Sequence, residues 1–252
     1  LSWGRYVADY EDAWDLVKRA NHPALGINLD TFHMFSRGNT LDCLRDEITA
    51  DKIALVQVAD APIIPTSDLM HWSRHYRCFP GQGDMPVVEF MKVLNEKNFD
   101  DYISHEIFND EFRSSSAQQR AVDGMRSLVW LDKSCNDVKP NAEITDIEFV
   151  EFAIEGEEGE SLVDTLSSLG FRETHKHVSK NVSLMQMGDI NLVLNREPSS
   201  QAHQHYQVHG ASVCALALTT SSVKESLKQA DEYRIKRFKN TTGPGELNIP
   251  AL

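Results

Sequence analysis

The 252-residue sequence contains no apolar run that approaches the roughly 20 residues needed to span a lipid bilayer. Basic residues are scarce, because 25 Lys and Arg stand against 38 Asp and Glu, for a net charge of −13. A surface this acidic repels phosphate backbones and anionic lipid, which argues against nucleic acid and membranes as partners. Cysteine is also scarce, with four residues (Cys43, Cys78, Cys135 and Cys214) and no CxxC spacing. Neither a zinc knuckle nor a disulfide scaffold is supported, and we expect a cytoplasmic protein with reduced thiols.

The ends of the sequence differ from those of a typical complete protein. The chain opens on Leu1 without Met and stops at Leu252 just after a turn-rich stretch. We therefore expect a piece of a longer protein.

The first half of the chain alternates helix-like and strand-like segments. Strands are predicted at 25–29, 53–59 and 102–107. Helices are predicted at 10–21, 41–48, 84–97 and 116–131, with Asp84 as the cap of the third and a long loop before it. Alternating strands and helices favour an α/β fold with a parallel sheet. Because a complete barrel needs eight strands, we predict the C-terminal part of a (β/α)8 TIM barrel over residues 1–133.

The second half has a different pattern and follows a predicted linker at 134–141. Strands are predicted at 147–154, 182–187, 190–194 and 213–218, and helices at 161–169 and 222–233. Gly188-Asp189 suits a hairpin turn between two of these strands. The order predicts an α+β module of the βαβββ type over residues 142–252.

Polar residues follow each predicted strand of the first half. Asp30 and His33 come after the first strand, Gln57 and Asp60 close the second, and Glu106 lies at the end of the third. In parallel barrels this edge of the sheet carries the active site. Carboxylate and amide oxygens suit a hard divalent cation such as Mg²⁺ or Mn²⁺. The alternative is that strand ends are polar without any catalytic role.

A histidine cluster in the second half suggests metal binding less strongly than the strand-end residues of the first half do. His203, His205 and His209 are spaced i, i+2 and i+6, which matches no common metal geometry, and we expect them on an exposed loop.

Four stretches of the first half resemble the xylose-isomerase-like barrel family: residues 26–33, 56–62, 77–84 and 103–109. Gln57 stands where many members of that family have His, which narrows the resemblance to bacterial 3-dehydroshikimate dehydratases of the two-part kind. In these proteins the barrel is fused to a module similar to 4-hydroxyphenylpyruvate dioxygenase, of the vicinal-oxygen-chelate type. Residues 188–198 and 209–215 resemble the first module of that dioxygenase fold.

The resemblance implies a role for each candidate residue. Asp30, Gln57 and Glu106 would bind a divalent cation (Mg²⁺, Mn²⁺ or Co²⁺), and the family's further Glu ligand would lie upstream of Leu1. His33 would be the catalytic acid–base group and would contact the substrate, and Arg77 would bind substrate oxygens. The implied activity is dehydration of 3-dehydroshikimate, a small-molecule substrate, to protocatechuate in quinate and shikimate breakdown. We expect the fragment alone to be inactive. Whether the protein forms a homo-oligomer is left open by the sequence.

Three other functions remain open. A 4-hydroxyphenylpyruvate dioxygenase would be an oxidoreductase, but the positions of its iron-binding histidines hold Phe149 and Cys214 here. A sugar isomerase or epimerase fits the barrel family but not the second half. A regulatory or assembly module would give the second half no catalytic role.

Overall fold

The computed structural model describes residues 1–239, 242–243, 246 and 248–252. The chain divides into two compact units, Leu1–Lys139 and Pro140–Leu252. Among the described residues, no helix combines the length and apolar character that crossing a membrane requires. Cys43, Cys78, Cys135 and Cys214 are free thiols.

The first unit is built from parallel βα repeats. Its strands are β1 (Ile27–Asp30), β2 (Ile53–Val58) and β3 (Ile103–His105). Its helices are α1 (Tyr10–Ala20), α2 (Thr31–Phe35), α3 (Asp42–Asp46), α4 (Leu69–His75), α5 (Val87–Glu96), α6 (Asp110–Ser114) and α7 (Ala117–Cys135), with a 3-10 turn at Ala50–Lys52. β2 lies between β1 and β3 and pairs with both in parallel.

Short apolar strands and amphipathic helices together make the core of this unit. Leu29, Val56 and Val58 of the strands are fully buried, and Phe90 and Val93 of α5 pack in the same cluster. Burying such side chains is the main favourable term in folding, at roughly 1.5–3 kcal/mol for each residue. The sheet therefore has a rigid base from which the residues at its carboxyl edge project.

Several sequence predictions for this unit are corrected. The long loop before α5 contains α4, whose N-cap Asp68 accepts from the backbone N–H of His71. Asp84 does not cap α5, because Pro86 holds the N-cap position and the Asp84 carboxylate accepts from Ile63 N–H at 3.0 Å instead. The predicted linker begins too early: residues 134 and 135 belong to α7, since Cys135 is buried against the core.

The second unit combines a mixed sheet with helices. Its strands are β4 (Ile144–Ala153), β5 (Arg172–Lys176), β6 (Val182–Met187), β7 (Ile190–Asn195) and β8 (Ser212–Thr220). Its helices are α8 (Gly156–Ser168), α9 (Gln201–His209) and α10 (Val223–Glu232). Within the described part of the chain the strand order is β5-β6-β7-β4-β8, and only the β4–β7 pair is parallel. The predicted hairpin is confirmed, since β6 and β7 are antiparallel and Gly188 has a φ of 57°.

The histidine cluster does not lie on a loop, as the sequence suggested, but on α9. Ser200 caps this helix by accepting from His203 N–H, and the chain leaves it at Gly210, where φ is 69°. The segment forms a helix although its amphipathic pattern is weak, because Ser200 caps its start and Gly210 allows the chain to end it.

Candidate active site

The carboxyl ends of the three parallel strands bring the predicted site residues together. Asp30, the last residue of β1, is paired in register with Gln57 of β2. Glu106 directly follows β3, and its backbone N–H donates to the Val58 carbonyl at 3.4 Å. Since parallel strands end at the same edge of a sheet, Asp30, Gln57 and Glu106 become neighbours there.

Asp30 both starts a helix and faces the site. The residue is 6% exposed, and one carboxylate oxygen accepts from the backbone N–H of His33 at 3.2 Å as the N-cap of α2. The other oxygen accepts from Arg77 Nη1 at 3.0 Å. The Asp-x-x-His spacing in the sequence is thus the spacing between an N-cap and the third helical residue, which fixes both side chains relative to β1.

Arg77 is the positive charge between two acidic side chains. It is only 1% exposed, and its Nη1 donates to Asp30 Oδ2 at 3.0 Å and to Glu106 Oε2 at 3.1 Å. The same nitrogen lies 3.2 Å from the Glu106 carbonyl oxygen. A buried cation with paired carboxylates is far more favourable than either charge alone in this environment.

The rest of the Arg77 side chain is also held by protein groups. Nε and Nη2 donate to Ser73 Oγ at 3.2 and 2.9 Å. The guanidinium carbon lies over the Phe32 ring at 4.7 Å and near the Phe108 ring at 5.4 Å. Each guanidinium nitrogen therefore already has a protein acceptor. The role of Arg77 in binding substrate oxygens stays a prediction.

The pKa of Glu106 is raised above its ordinary value. Burial is the largest cause, followed by a hydrogen bond with the neighbouring Asp30 carboxyl, whereas Arg77 and Gln57 oppose the shift. Two carboxylates this close repel each other when both are charged. This edge of the sheet therefore favours a cation or a shared proton.

His33 sits beside this pair of carboxylates with both ring nitrogens in contact with protein atoms. Its Nδ1 lies 3.1 Å from Ser2 Oγ and 3.3 Å from Ser2 N, and Trp3 packs edge-on against the ring at 5.0 Å. Its Nε2 lies 3.4 Å from Arg77 Nη2 and 3.7 Å from Asp30 Oδ2. Burial lowers the pKa of His33 to about 4, with Asp30 opposing the shift and Arg77 adding to it. The imidazole is therefore neutral near pH 7.

The donor set fits a hard divalent cation in its chemistry. Asp30 and Glu106 supply carboxylates, and Gln57 adds an amide whose Oε1 here accepts from Asn28 Nδ2 at 2.8 Å. Oxygen donors of this kind are those that Mg²⁺ and Mn²⁺ prefer. Among the described residues, no group of three or more His, Cys, Asp or Glu is arranged to hold a metal. The Gln57 amide would be the third oxygen donor beside the carboxylates of Asp30 and Glu106.

Three other histidines of the first unit, His71, His75 and His105, have separate surroundings. His75 pairs with Asp110 at 2.7 Å near the surface, and His71 stacks on His75 at 4.5 Å. His105 packs on the Phe79 ring at 5.4 Å, and burial lowers its pKa. None of these contacts reaches the Asp30 carboxylate, so they do not replace His33.

Sequence reasoning missed two residues that contact the site. Ser73 precedes Arg77 by four residues, a spacing that could have indicated the contact had α4 been predicted. Ser2 lies far from His33 in sequence, and no local pattern indicates their contact.

In the second unit, His203, His205 and Cys214 form hydrogen bonds with neighbouring protein groups. His203 pairs with Glu155, and His205 lies 3.1 Å from Ser212 Oγ. The Cys214 thiol donates to the Glu151 carbonyl at 3.5 Å, and burial raises its pKa to about 11. The thiol is therefore protonated near pH 7.

Each half of the chain matches a known protein family. Residues 2–133 match the family described as the xylose isomerase-like TIM barrel. The chain belongs to the xylose isomerase-like TIM barrel family. Residues 140–252 match the family described as the N-terminal part of hydroxyphenylpyruvate dioxygenase. The predicted fold class, a partial barrel followed by a dioxygenase-like module, is confirmed.

Full-length similarity comes from proteins that combine both parts. This xylose isomerase-like chain is 41% identical to a 3-dehydroshikimate dehydratase of Pseudomonas putida and 40% identical to one of Pseudomonas aeruginosa. Both alignments cover 100% of the chain but only 42% of the relative. A solved xylose isomerase-like TIM barrel/4-hydroxyphenylpyruvate dioxygenase fusion protein superposes with a TM-score of 0.84 at 41% identity, over 99% of this chain and 42% of that one. The predicted resemblance to the two-part dehydratases is confirmed.

The second unit also resembles 4-hydroxyphenylpyruvate dioxygenases. A 4-hydroxyphenylpyruvate dioxygenase of Pseudomonas aeruginosa is 40% identical over 106 residues, which is 42% of this chain and 30% of that protein. The chain thus spans less than half the length of the two dehydratases and of this dioxygenase.

Proposed function

We propose that this chain contributes the metal-binding and proton-transfer residues of a lyase that dehydrates 3-dehydroshikimate to protocatechuate. The partner is a small-molecule substrate. The observation that carries the proposal is the joint position of Asp30, Glu106, His33 and Arg77 at one sheet edge, in a chain 41% identical to a dehydratase over its whole length.

A divalent cation in this proposal is held by Asp30, Gln57 and Glu106. When bound, such a cation supplies positive charge that stabilises the ketone oxygen as electrons move toward it. Arg77 holds the two carboxylates in place, since one of its nitrogens lies within 3.1 Å of an oxygen of each.

His33 is the group that transfers the proton in this proposal. Dehydration beside a ketone requires a base that removes the α-proton and an acid that protonates the departing hydroxyl, so that one water leaves. Tautomerisation of the remaining ring then gives the catechol acid. Nδ1 of His33 is held by Ser2, and Nε2 faces the carboxylate edge, so Nε2 is the nitrogen that exchanges the proton.

The test uses the full natural polypeptide that contains these 252 residues. After chelation of divalent metal, we expect no ultraviolet-absorbing catechol acid from 3-dehydroshikimate, and recovery on addition of Mn²⁺, Mg²⁺ or Co²⁺. Glu106→Gln should abolish the recovery and weaken Mn²⁺ binding measured by electron paramagnetic resonance. Glu111→Gln is the matched control, because Glu111 is an exposed carboxylate on α6. Full activity of the chelated protein, or of Glu106→Gln, would contradict the proposal.

A second candidate function is favoured by the 40% identity of the second unit to a 4-hydroxyphenylpyruvate dioxygenase. That reaction consumes O₂ and releases CO₂ from a keto acid, whereas dehydration does neither. Oxygen uptake with 4-hydroxyphenylpyruvate, without product from 3-dehydroshikimate, would favour the dioxygenase.

A further inference from the structure

Asp60 lies just beyond the end of β2, and both oxygens of its carboxylate accept hydrogen bonds from backbone N–H groups. The residue is 1% exposed. Its Oδ1 accepts from the backbone N–H groups of Ala61 and Met85 at 2.8 and 3.0 Å, and its Oδ2 accepts from those of Gly81 and Gly83 at 3.0 and 3.1 Å. Three of these four donors belong to the loop of residues 79–85, which we call the Asp60 loop.

The Asp60 loop is shaped to fit this carboxylate closely. A Cβ on Gly83 would lie 2.4 Å from Asp60 Oδ1 and 2.6 Å from the Ala61 nitrogen, so no larger residue fits without movement. Gly81 has a φ of 88°, a conformation that side chains disfavour. The loop therefore depends on both glycines to bring its N–H groups to Asp60.

The backbone links Asp60 directly to Arg77. Asp60 N–H donates to the Cys78 carbonyl at 3.0 Å, and Cys78 N–H donates to the Asp60 carbonyl at 2.7 Å. Cys78 is the residue after Arg77. On the other side, Arg77 N–H donates to the Phe108 carbonyl at 3.1 Å, and Asn109 Nδ2 donates to the Arg77 carbonyl at 3.0 Å. The Arg77 backbone thus spans the ends of β2 and β3.

We infer that Asp60 is a positioning residue that fixes the Arg77 guanidinium between the carboxylates of Asp30 and Glu106. The expected effect of Asp60 on catalysis rests on the proposed function, whereas its effect on the position of Arg77 does not. Nη1 of Arg77 contacts both carboxylates at nearly equal distances, 3.0 and 3.1 Å, and a small backbone shift at Cys78 would lengthen at least one contact. Misplacement of a site group by about 1 Å can lower a rate by roughly a hundredfold.

The test is Asp60→Asn, which keeps the size of the side chain. An amide NH₂ in place of one oxygen would face two backbone N–H donors and release two of the four contacts of the carboxylate. We expect exchange of the Arg77 Nε–H with water, measured by NMR, to accelerate at least about tenfold, because the contact with Ser73 that shields this N–H loosens. We expect kcat for dehydration to fall by about 10–100-fold while KM changes little.

A double-mutant cycle separates positioning from general loss of stability. In an Arg77→Lys background, Asp60→Asn should have little further effect on kcat, because the group through which Asp60 acts is already altered. Asp84→Asn is the matched control, since Asp84 accepts a single N–H, from Ile63, near the end of the same loop. It should change neither Arg77 Nε–H exchange nor kcat.

Each outcome decides the inference. Unchanged Arg77 Nε–H exchange in folded Asp60→Asn, or additive losses of kcat in the cycle, would overturn it. If Asp60→Asn does not fold, Gly83→Ala replaces it, because its Cβ would displace the Asp60 carboxylate while leaving the charge. If the wild-type protein forms no catechol acid, the proposed function fails, and the NMR measurement alone decides the role of Asp60.

Discussion

At the residue scale, Arg77 determines the electrostatics of the candidate site. Its buried guanidinium is the counter-charge for Asp30 and Glu106, so Arg77→Met would leave two acidic groups without a cation. We expect the free energy of unfolding of the first unit to fall by about 3 kcal/mol, the lower end of the range for breaking a buried pair, because Glu106 is partly exposed. Urea denaturation followed by tryptophan fluorescence measures this.

The matched control for that substitution is Arg113→Met. Arg113 pairs with Asp110 at 3.2 Å, but both side chains are more than half exposed. Exposed pairs contribute about 0–1 kcal/mol, so the control should remain close to wild type. Equal losses for the two variants would show that the burial of Arg77 has no special energetic role.

His33 provides the second prediction at this scale. His33→Gln should lower turnover by about 10²–10⁴-fold, the usual contribution of a general acid–base group, while Mn²⁺ binding survives. His75→Gln is the comparison, because His75 pairs with Asp110 near the surface. A His33→Gln protein with normal turnover would mean that another group moves the proton.

At the scale of elements, a carboxylate anchors the β5–β6 hairpin. Glu246 accepts from Gly243 N–H and Lys180 Nζ, both at 2.7 Å, and from Ser179 Oγ at 3.0 Å. The Gly243 N–H is the largest cause, and Lys180 the next, of a pKa for Glu246 lowered to about 2. Ser179 and Lys180 therefore bind the Glu246 carboxylate, a contact that the sequence did not indicate.

The direction of the pH effect follows from that lowered pKa. A carboxyl with a folded pKa below its unfolded value stabilises the fold fully above its ordinary pKa of 4.5, and this contribution is lost as the pH falls toward about 2. We expect the Glu246 carboxyl carbon to titrate near pH 2 by NMR and to titrate higher in Lys180→Met. Lys176→Met, which removes an exposed pair with Glu173, should leave the Glu246 titration in place. A wild-type protein in which Glu246 titrates near the ordinary pKa of 4.5 would show that this carboxylate does not anchor the β5–β6 hairpin.

Elements also show what the sequence could and could not predict. Strands β1, β2 and β3 were predicted because buried apolar runs ending in polar residues are a local signal. Helix α4 was not, because its seven residues include two His, a Ser and an Arg, and its cap Asp68 lies in a segment without clear periodicity. The loop that holds Asp60 depends on three backbone N–H contacts from residues 21 to 25 positions further along the chain, and such contacts leave no periodic pattern.

The same limit applies to the candidate site. The strand-end positions of Asp30, Gln57 and Glu106 could be inferred from the order of elements, because parallel strands end at one edge. The burial of Arg77 could not, since it depends on packing between α4 and the strand ends, and its contact with Ser73 could be inferred only once α4 is known. Their roles in catalysis stay predictions.

At the scale of the whole molecule, the part of the chain that the structure describes contains two hydrophobic cores, one in each unit. One is built around Phe90, Leu29 and Val56 of the first unit, and the other around Leu194 and Met185 of the second. The four tryptophans, Trp3, Trp14, Trp72 and Trp130, all precede residue 140, so the tryptophan fluorescence comes from the first unit.

This distribution of tryptophan allows each core to be tested within the intact chain. Phe90 is fully buried, and Phe90→Ala should lower the tryptophan-detected free energy of unfolding by about 3–5 kcal/mol, because the lost contacts leave a cavity. Leu194 is 1% exposed, and Leu194→Ala should cost about 2–5 kcal/mol, detected as faster hydrogen exchange of β6 and β7. Leu169→Ala is the control for the second unit, since Leu169 is 64% exposed and should have little effect. A Phe90→Ala protein with an unchanged tryptophan transition would mean that α5 packs elsewhere, and the sheet edge that carries Asp30 and Glu106 would then lack the base on which the site depends.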